Sequence, residues 1–258
     1  MDYHYTKRMI RVLRPLPVES LKLLVFDLDG TLIDSAQDLC NSVNATLVHF
    51  GRAPLPDEVI AGYIGDGALL LVNRALSHNH PDPYDEEFLG RAHQFFLDYY
   101  REHKLDYTSA YDGVLEALQA LRNLHDQTSA ALPNAMPRSM AVLTNKPVRP
   151  AQAICQALGL APFFLNIYGG NSFATKKPNP EGLFALMQEA GANPQQTVMI
   201  GDSQVDIQTA RNAGAWSIGC TFGLAPETLH AVPPDVFVDS PAEWTAALSP
   251  ARVSVEPR

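Results

Sequence analysis

Leu23-Leu24-Val25-Phe26-Asp27-Leu28-Asp29-Gly30-Thr31-Leu32 decides how this chain is read. An apolar run of strand-forming residues ends in two carboxylates with one residue between them, and a glycine then turns the chain. Side chains alternate with period 2 along a strand, so Asp27 and Asp29 leave its end on the same side. Two carboxylates held that close repel each other, and a bound cation is the simplest way to offset the repulsion. A ligand-free acidic turn has the same composition, so the rest of the chain must decide between them.

Downstream of this strand the apolar residues change period. Leu39, Val43 and Leu47 repeat at helical spacing behind Ser35 and Asp38, which resemble a capping box, and Gly51 closes the helix. Further helices are predicted near Pro56-Asp57-Glu58, over 68–76, and over 85–103, where Phe88, Ala92, Phe95, Phe96 and Tyr99 form one face. A polar, proline-bearing loop covers 77–83. No strand is predicted between 36 and 106. After Asp112-Gly113 a helix begins at Val114, and 125–139 reads as a long loop. Strands and helices then alternate: strands over 140–144, 163–168, 197–201, 216–220 and 235–238, helices over 149–158, 180–190 and 204–213, and a last helix opened by Ser240-Pro241. This alternation predicts an α/β fold, a Rossmann-like parallel sheet with helices on both faces, carrying a small α-helical cap. The implied division is an N-terminal extension over 1–20, the core over 21–35 and 107–248, the cap over 36–106, and a tail over 249–258.

The 258 residues, 46% hydrophobic and 18% charged, suffice for a sizeable core. A formal net charge of −9 argues against nucleic-acid or anionic-membrane partners, so an anionic substrate needs locally gathered cations. No apolar run reaches the length of a membrane span. Cys40, Cys155 and Cys220 are odd in number, widely spaced and without a CxxC pair, which fits buried reduced thiols and a cytoplasmic setting. Met1 to Pro17 is interrupted by Lys7, Arg8, Arg11 and Arg14, lacks the apolar core of a secretory signal, and is expected to stay outside the folded core.

A parallel sheet gathers its sites outside the carboxyl ends of its strands. The polar residues fall there: Asp27 and Asp29 after the first strand, Thr144-Asn145-Lys146-Pro147 after the second, and Gly201-Asp202-Ser203 after the fourth, with Asp206 four residues on. Lys176-Lys177-Pro178-Asn179-Pro180 stands ahead of a helix. Converging Asp27, Asp29 and Asp202 present the hard oxygen donors that suit Mg2+. Thr144 Oγ, the Asn145 amide and the Lys177 ammonium supply donors for a phosphoryl group, whose transfer needs positioning and charge stabilisation. Lys146, Lys176 and the His78-Asn79-His80 stretch are read as ordinary solvated groups.

Asp27-Leu28-Asp29-Gly30-Thr31, Thr144-Asn145, Lys177-Pro178 and Gly201-Asp202-Ser203-Gln204-Val205-Asp206 resemble, in order, the four motifs of the haloacid dehalogenase-like hydrolases. The resemblance spans about 22–240. It implies that Asp27 is a nucleophile forming an aspartyl-phosphate and that Asp29 is the general acid and base. It further implies that Mg2+ is held by the Asp27 carboxylate, the Asp29 backbone carbonyl and Asp202, and that Asp206 supports Lys177 or a metal-bound water. The acid two residues after the nucleophile implies phosphatase or phosphomutase chemistry. Tyr63-Ile64-Gly65-Asp66-Gly67-Ala68 with Val72-Asn73-Arg74-Ala75-Leu76 is similar to the cap of phosphoglycolate phosphatases, whose loop would meet the substrate through Gly65, Asp66 and Gly67. Asp66 departs from that pattern and would repel an anion if it faced inward. The reading is thus a Mg-dependent hydrolase of a small anionic phosphate ester, with 2-phosphoglycolate favoured, acting as monomer or homodimer. The alternatives are a sugar phosphomutase, a pyrophosphatase, or a phospho-accepting receiver-like switch.

Overall fold

The computed structural model describes residues 10–78, 84–131 and 138–249, with backbone alone for 125–131. The 1–9 part of the extension, most of the 77–83 loop, 132–137 of the predicted long loop and nearly all of the tail lie outside the described residues.

In chain order the strands are β1 (Arg11–Val12), β2 (Leu23–Phe26), β3 (Ile33–Asp34), β4 (Ser109–Ala110), β5 (Ser139–Leu143), β6 (Ile167–Tyr168), β7 (Thr197–Gly201), β8 (Trp216–Cys220) and β9 (Val236–Val238). The helices are α1 (Ala36–His49), α2 (Asp57–Ala61), α3 (Ala68–Ser77), α4 (Glu86–His103), α5 (Val114–Ala131), α6 (Val148–Ala157), α7 (Glu181–Glu189), α8 (Gln204–Ala213) and α9 (Ala242–Ala247). The main sheet runs β1-β9-β8-β7-β2-β5-β6, and every neighbouring pair is parallel except β1 with β9.

β2 lies at the centre with its whole length buried, and its period-2 alternation divides the core in two. Leu24 and Phe26 join Val142, Val198 and Ile200 on one face, against Leu118 and Leu121 of α5, Ile154 of α6 and Trp244 of α9. Leu23 and Val25 join Ala141, Leu143 and Met199 on the other, against Leu183 and Leu186 of α7 and Ala210 of α8. Register fixes the rim. Phe26 is level with Val142 of β5 and Ile200 of β7, so Asp27, Thr144 and Asp202 follow three adjacent strand ends.

Helices α1 to α4 close around an apolar cluster of their own, including Val43, Leu47, Ile60, Val72, Leu76, Ala92, Phe96 and Tyr100. No helix of the described residues is long and apolar enough to cross a membrane. The three cysteines are free and buried.

The structure corrects the sequence reading in five places. The N-terminal extension joins the core: β1 adds an antiparallel edge strand to β9, and Ile10 and Leu16 pack against the main cluster. Two of the arginines that argued against docking anchor it. Arg11 stacks 3.7 Å from the Phe237 ring centroid, and Arg14 pairs with Asp235 at 2.6 Å while lying over Trp216. Helix α5 runs on to Ala131, where a loop was predicted from His125. The predicted strand over 163–168 is two residues long, preceded by a 3-10 turn at Ala161–Phe163. A two-stranded sheet of β3 and β4 joins the helical insert to the core. Finally, Ser35 and Asp38 form no capping box: Ser35 Oγ donates to Asp29, while Asp38 accepts from Tyr107 N, Thr108 N and Thr108 Oγ1.

Candidate active site

Asp27, Asp202 and Asp206 come from the ends of β2 and β7 and the first turn of α8, and all three are buried. Carboxylate oxygens of the three lie within 4.8 Å of one another. Lys177, only 4% exposed, enters between them: Nζ lies 2.7 Å from Asp27 Oδ1 and 2.6 Å from Asp206 Oδ1. The contact with Asp27 is an ion pair without hydrogen-bond alignment, leaving Asp27 Oδ1 with no hydrogen-bond partner. Asp206 is differently placed. Its Oδ2 accepts from Ser203 N at 3.1 Å and Ser203 Oγ at 2.8 Å, so both of its oxygens are already engaged. Of the acids expected around the metal, the Asp29 carboxylate lies outside this trio; it accepts from Ser35 Oγ at 2.5 Å and from Lys146 Nζ at 2.8 and 3.1 Å.

Asp202 sits in a tight cradle. Its Oδ2 accepts from Leu224 N at 2.7 Å and Ala225 N at 3.1 Å, and its Oδ1 from Thr31 Oγ1 at 3.3 Å. Gly30 turns the chain beside it at φ +83°, and a Cβ there would lie 2.2 Å from Asp202 Oδ2. A Cβ on Gly223 would stand 2.2 Å from the Cβ of Asp202. Only backbone fits against this carboxylate on either side.

The electrostatics follow from burial. Desolvation, then the neighbouring Asp206, pushes the Asp27 carboxyl up to about 7; desolvation with Asp206 and Asp27 pushes Asp202 up to about 8. Burial would lower the Lys177 pKa, but Asp206 and Asp27 outweigh it and hold the ammonium charged. With all four ionised, Asp27, Asp29, Asp202 and Asp206 around this rim exceed the ammonium groups of Lys146 and Lys177 by two charges. An excess of that size, hard oxygen donors and an unsatisfied Asp27 oxygen fit a divalent cation held by Asp27 and Asp202.

Next to the trio, a cavity of about 40 Å³ is lined by Asp27, Asp29, Thr144, Asn145 and Lys146 from the core and by Gly65, Gly67 and Ala68 from the insert. Thr144 is buried and its Oγ1 accepts from Lys146 N at 3.2 Å, so the hydroxyl hydrogen is left to donate. Asn145 differs from the expected phosphoryl donor: its Nδ2 donates to Gly65 O and to Lys177 O, both at 3.1 Å, tying the insert's loop and the lysine segment to β5. Gly65 and Gly67 face the cavity, while Asp66 turns to Arg74, with Oδ2 2.5 Å from its guanidinium. The feared repulsion of an anion is thereby removed.

Two lysines read as solvated belong to this site. Lys146 is 5% exposed, grips Asp29, and stands 4.7 Å from the Tyr100 ring centroid of α4. Lys176 donates from Nζ to Asp66 O, fastening the same loop from the core side. The backbone clamp at Leu224 and Ala225 was also missed. The signals were present: Lys146 follows Thr144-Asn145 at a strand end, and Gly223 follows β8 at the same rim.

Fold and site together define a class of enzyme: a parallel α/β core with acidic strand ends and a helical insert after the first central strand. The model of the family described as haloacid dehalogenase-like hydrolase matches residues 24–220, and the chain belongs to that family. The chain is 39% identical to a phosphoglycolate phosphatase of Chromobacterium violaceum over 227 residues, covering 88% of this chain and 96% of that one. It is 35% identical to one of Neisseria meningitidis, covering 90% and 96%. Among solved structures, a predicted phosphoglycolate phosphatase of Haemophilus somnus aligns with a TM-score of 0.79 at 30% identity, over 89% of this chain and 99% of that one.

Proposed function

We propose that the chain hydrolyses a small phosphate monoester through a phosphoryl group carried transiently on Asp27, with 2-phosphoglycolate as the favoured substrate. The observation that carries the reading is Asp27 itself, whose Oδ1 is buried at the cavity without a hydrogen-bond donor and beside the Lys177 ammonium. An Asp27 oxygen attacks phosphorus, and the bond from phosphorus to the ester oxygen breaks. Asp29, on the same cavity, gives its proton to the departing alkoxide. In the second half Asp29 takes a proton from water as that water attacks the phosphorus on Asp27, releasing inorganic phosphate and restoring the carboxylate. Lys177 and the Thr144 hydroxyl stabilise charge on the phosphoryl oxygens, and Asp206 keeps Lys177 aimed. Mg2+, held by Asp27, the Asp29 carbonyl and Asp202, would supply the positive charge that lets two anions meet.

The cavity under the insert brings Asp27, Asp29, Thr144 and Lys146 of the core against Gly65, Gly67 and Ala68 of the insert, an arrangement suited to a small anionic ester. The relatives' names favour 2-phosphoglycolate. The test is rapid-quench mass spectrometry during turnover of 2-phosphoglycolate, with glucose 1-phosphate and pyrophosphate in parallel. The expected result is a phosphoryl adduct on Asp27 that forms and decays within the turnover time. Asp27→Asn loses both adduct and turnover, because an amide oxygen is too poor a nucleophile; wild-type rates from that variant, free of deamidation, would sink the reading.

A further inference from the structure

We infer that Lys146 and Tyr100 form a subsite for a carboxylate on the substrate, so that the enzyme selects 2-phospho acids; this rests on the phosphatase reading above. The argument starts from bond connectivity. In a phosphorylated 2-hydroxy acid the carboxyl carbon is two bonds from the ester oxygen. The group that protonates that oxygen and the group that binds the carboxylate must therefore be neighbours. Asp29 is the acid of the site, and Lys146 Nζ stands 2.8 Å from its Oδ1. An ammonium carries three N–H donors, and its contacts with the two Asp29 oxygens leave one of them over.

The second observation is independent. Tyr100 of α4 is 3% exposed, lines the same cavity, and its hydroxyl, beside the Lys146 ammonium, meets no acceptor. A buried hydroxyl without an acceptor is costly, and a carboxylate oxygen in the cavity would satisfy it. A third set of donors borders the same space. Helix α3 starts at Ala68 behind Gly67, which has no side chain to cap it, and the first bond of the helix runs from Leu71 N to Gly67 O. The N–H groups ahead of Leu71 are left at the positive end of the helix, with Gly67 and Ala68 on the cavity wall. The core thus supplies the ammonium, and the insert supplies the phenol and the amides. Only with the insert seated are all three present. The remaining walls, including Leu71, Phe96 and Leu97, are apolar and offer nothing to a neutral polar chain.

The test compares kcat/KM for 2-phosphoglycolate and for ethyl phosphate, which replaces the carboxylate by a methyl group. The wild-type enzyme is expected to prefer the acid by at least about thirtyfold, as charge-assisted hydrogen bonds do. Tyr100→Phe keeps the ring stacked on Phe96 and removes one oxygen. It is expected to cut that preference by about tenfold, mainly through KM. Lys146→Met is expected to cut it further, and Lys146→Arg to restore part of it. A purely structural role would lower both substrates alike and leave the ratio intact. Failure to hydrolyse either ester overturns the phosphatase reading. Hydrolysis of both without preference overturns the carboxylate subsite and leaves the phosphatase standing. A strong preference that survives in Tyr100→Phe and Lys146→Met overturns the assignment of these residues.

Discussion

Chelating divalent cations will destabilise this protein more at high pH than at low pH. The reason is the buried acidic trio. In the metal-free fold Asp27 and Asp202 hold protons up to about pH 7 and 8, while the same groups in the unfolded chain release them near the ordinary aspartate value of 3.8. Between those limits the folded state binds more protons than the unfolded one, so its stability falls as pH rises through the window. For Asp27 the gap is worth on the order of 4 kcal/mol once pH exceeds its folded pKa. A divalent cation competes with those protons. At about pH 5 the site is largely protonated and Mg2+ adds little; at about pH 8 Mg2+ at a hundred times its Kd adds about 2.7 kcal/mol. For a chain of this size that is a rise in Tm of roughly 5–11 °C. Thermal melts in EDTA and in excess MgCl2, at both pH values, measure it. The Mg-dependent gain is expected to appear at high pH, vanish at low pH, and disappear in Asp202→Asn. An equal gain at both pH values, or none at high pH, would refute the assignment of the trio as a cation site.

Two further outcomes follow from the geometry. Gly30→Ala forces a Cβ to within 2.2 Å of Asp202 Oδ2 at a backbone φ of +83°, and is expected to cost about 2 kcal/mol or more and to abolish the Mg-dependent gain in Tm. Beside the substrate cavity, a cleft of about 550 Å³ is lined by Arg101, Lys104 and Arg149 in a chain whose net charge is −9. These cations steer anions to the mouth, so kcat/KM is expected to fall with ionic strength, and Arg149→Glu to lower it roughly threefold to tenfold at low salt with little effect in high salt.

The core was legible because each cue was redundant. Strand-helix alternation named a parallel sheet, and the sheet's rule placed Asp27, Thr144 and Asp202 at one rim, where the register puts them. What escaped were contacts decided by tertiary competition. Ser35 looked like a cap but bonds Asp29, because a half-buried carboxylate needs donors more than a helix end in reach of Asp34 does. Lys146 and Lys176 carried the usual expectation for lysine, and only the folded rim shows what they neutralise or fasten. β1 and β3 are two residues each, too short for any alternation to register. Asn145 shows the reverse: the residue stands at the rim as expected, while the two bonds its amide donates to backbone carbonyls could not be read from the sequence.

The helical insert leaves the core and returns through a neck in which Ile33 pairs with Ala110 and Asp34 with Ser109, with Asp38 clasping Tyr107 and Thr108 just beyond. Both crossings lie side by side, so a tilt of the lobe above would pivot on one line. Ser35 sits on that line and is bonded to Asp29. The neck and the acidic rim are therefore joined through one hydroxyl, and a tilt of the lobe would pull on the Asp29 carboxylate as well as on the cavity wall.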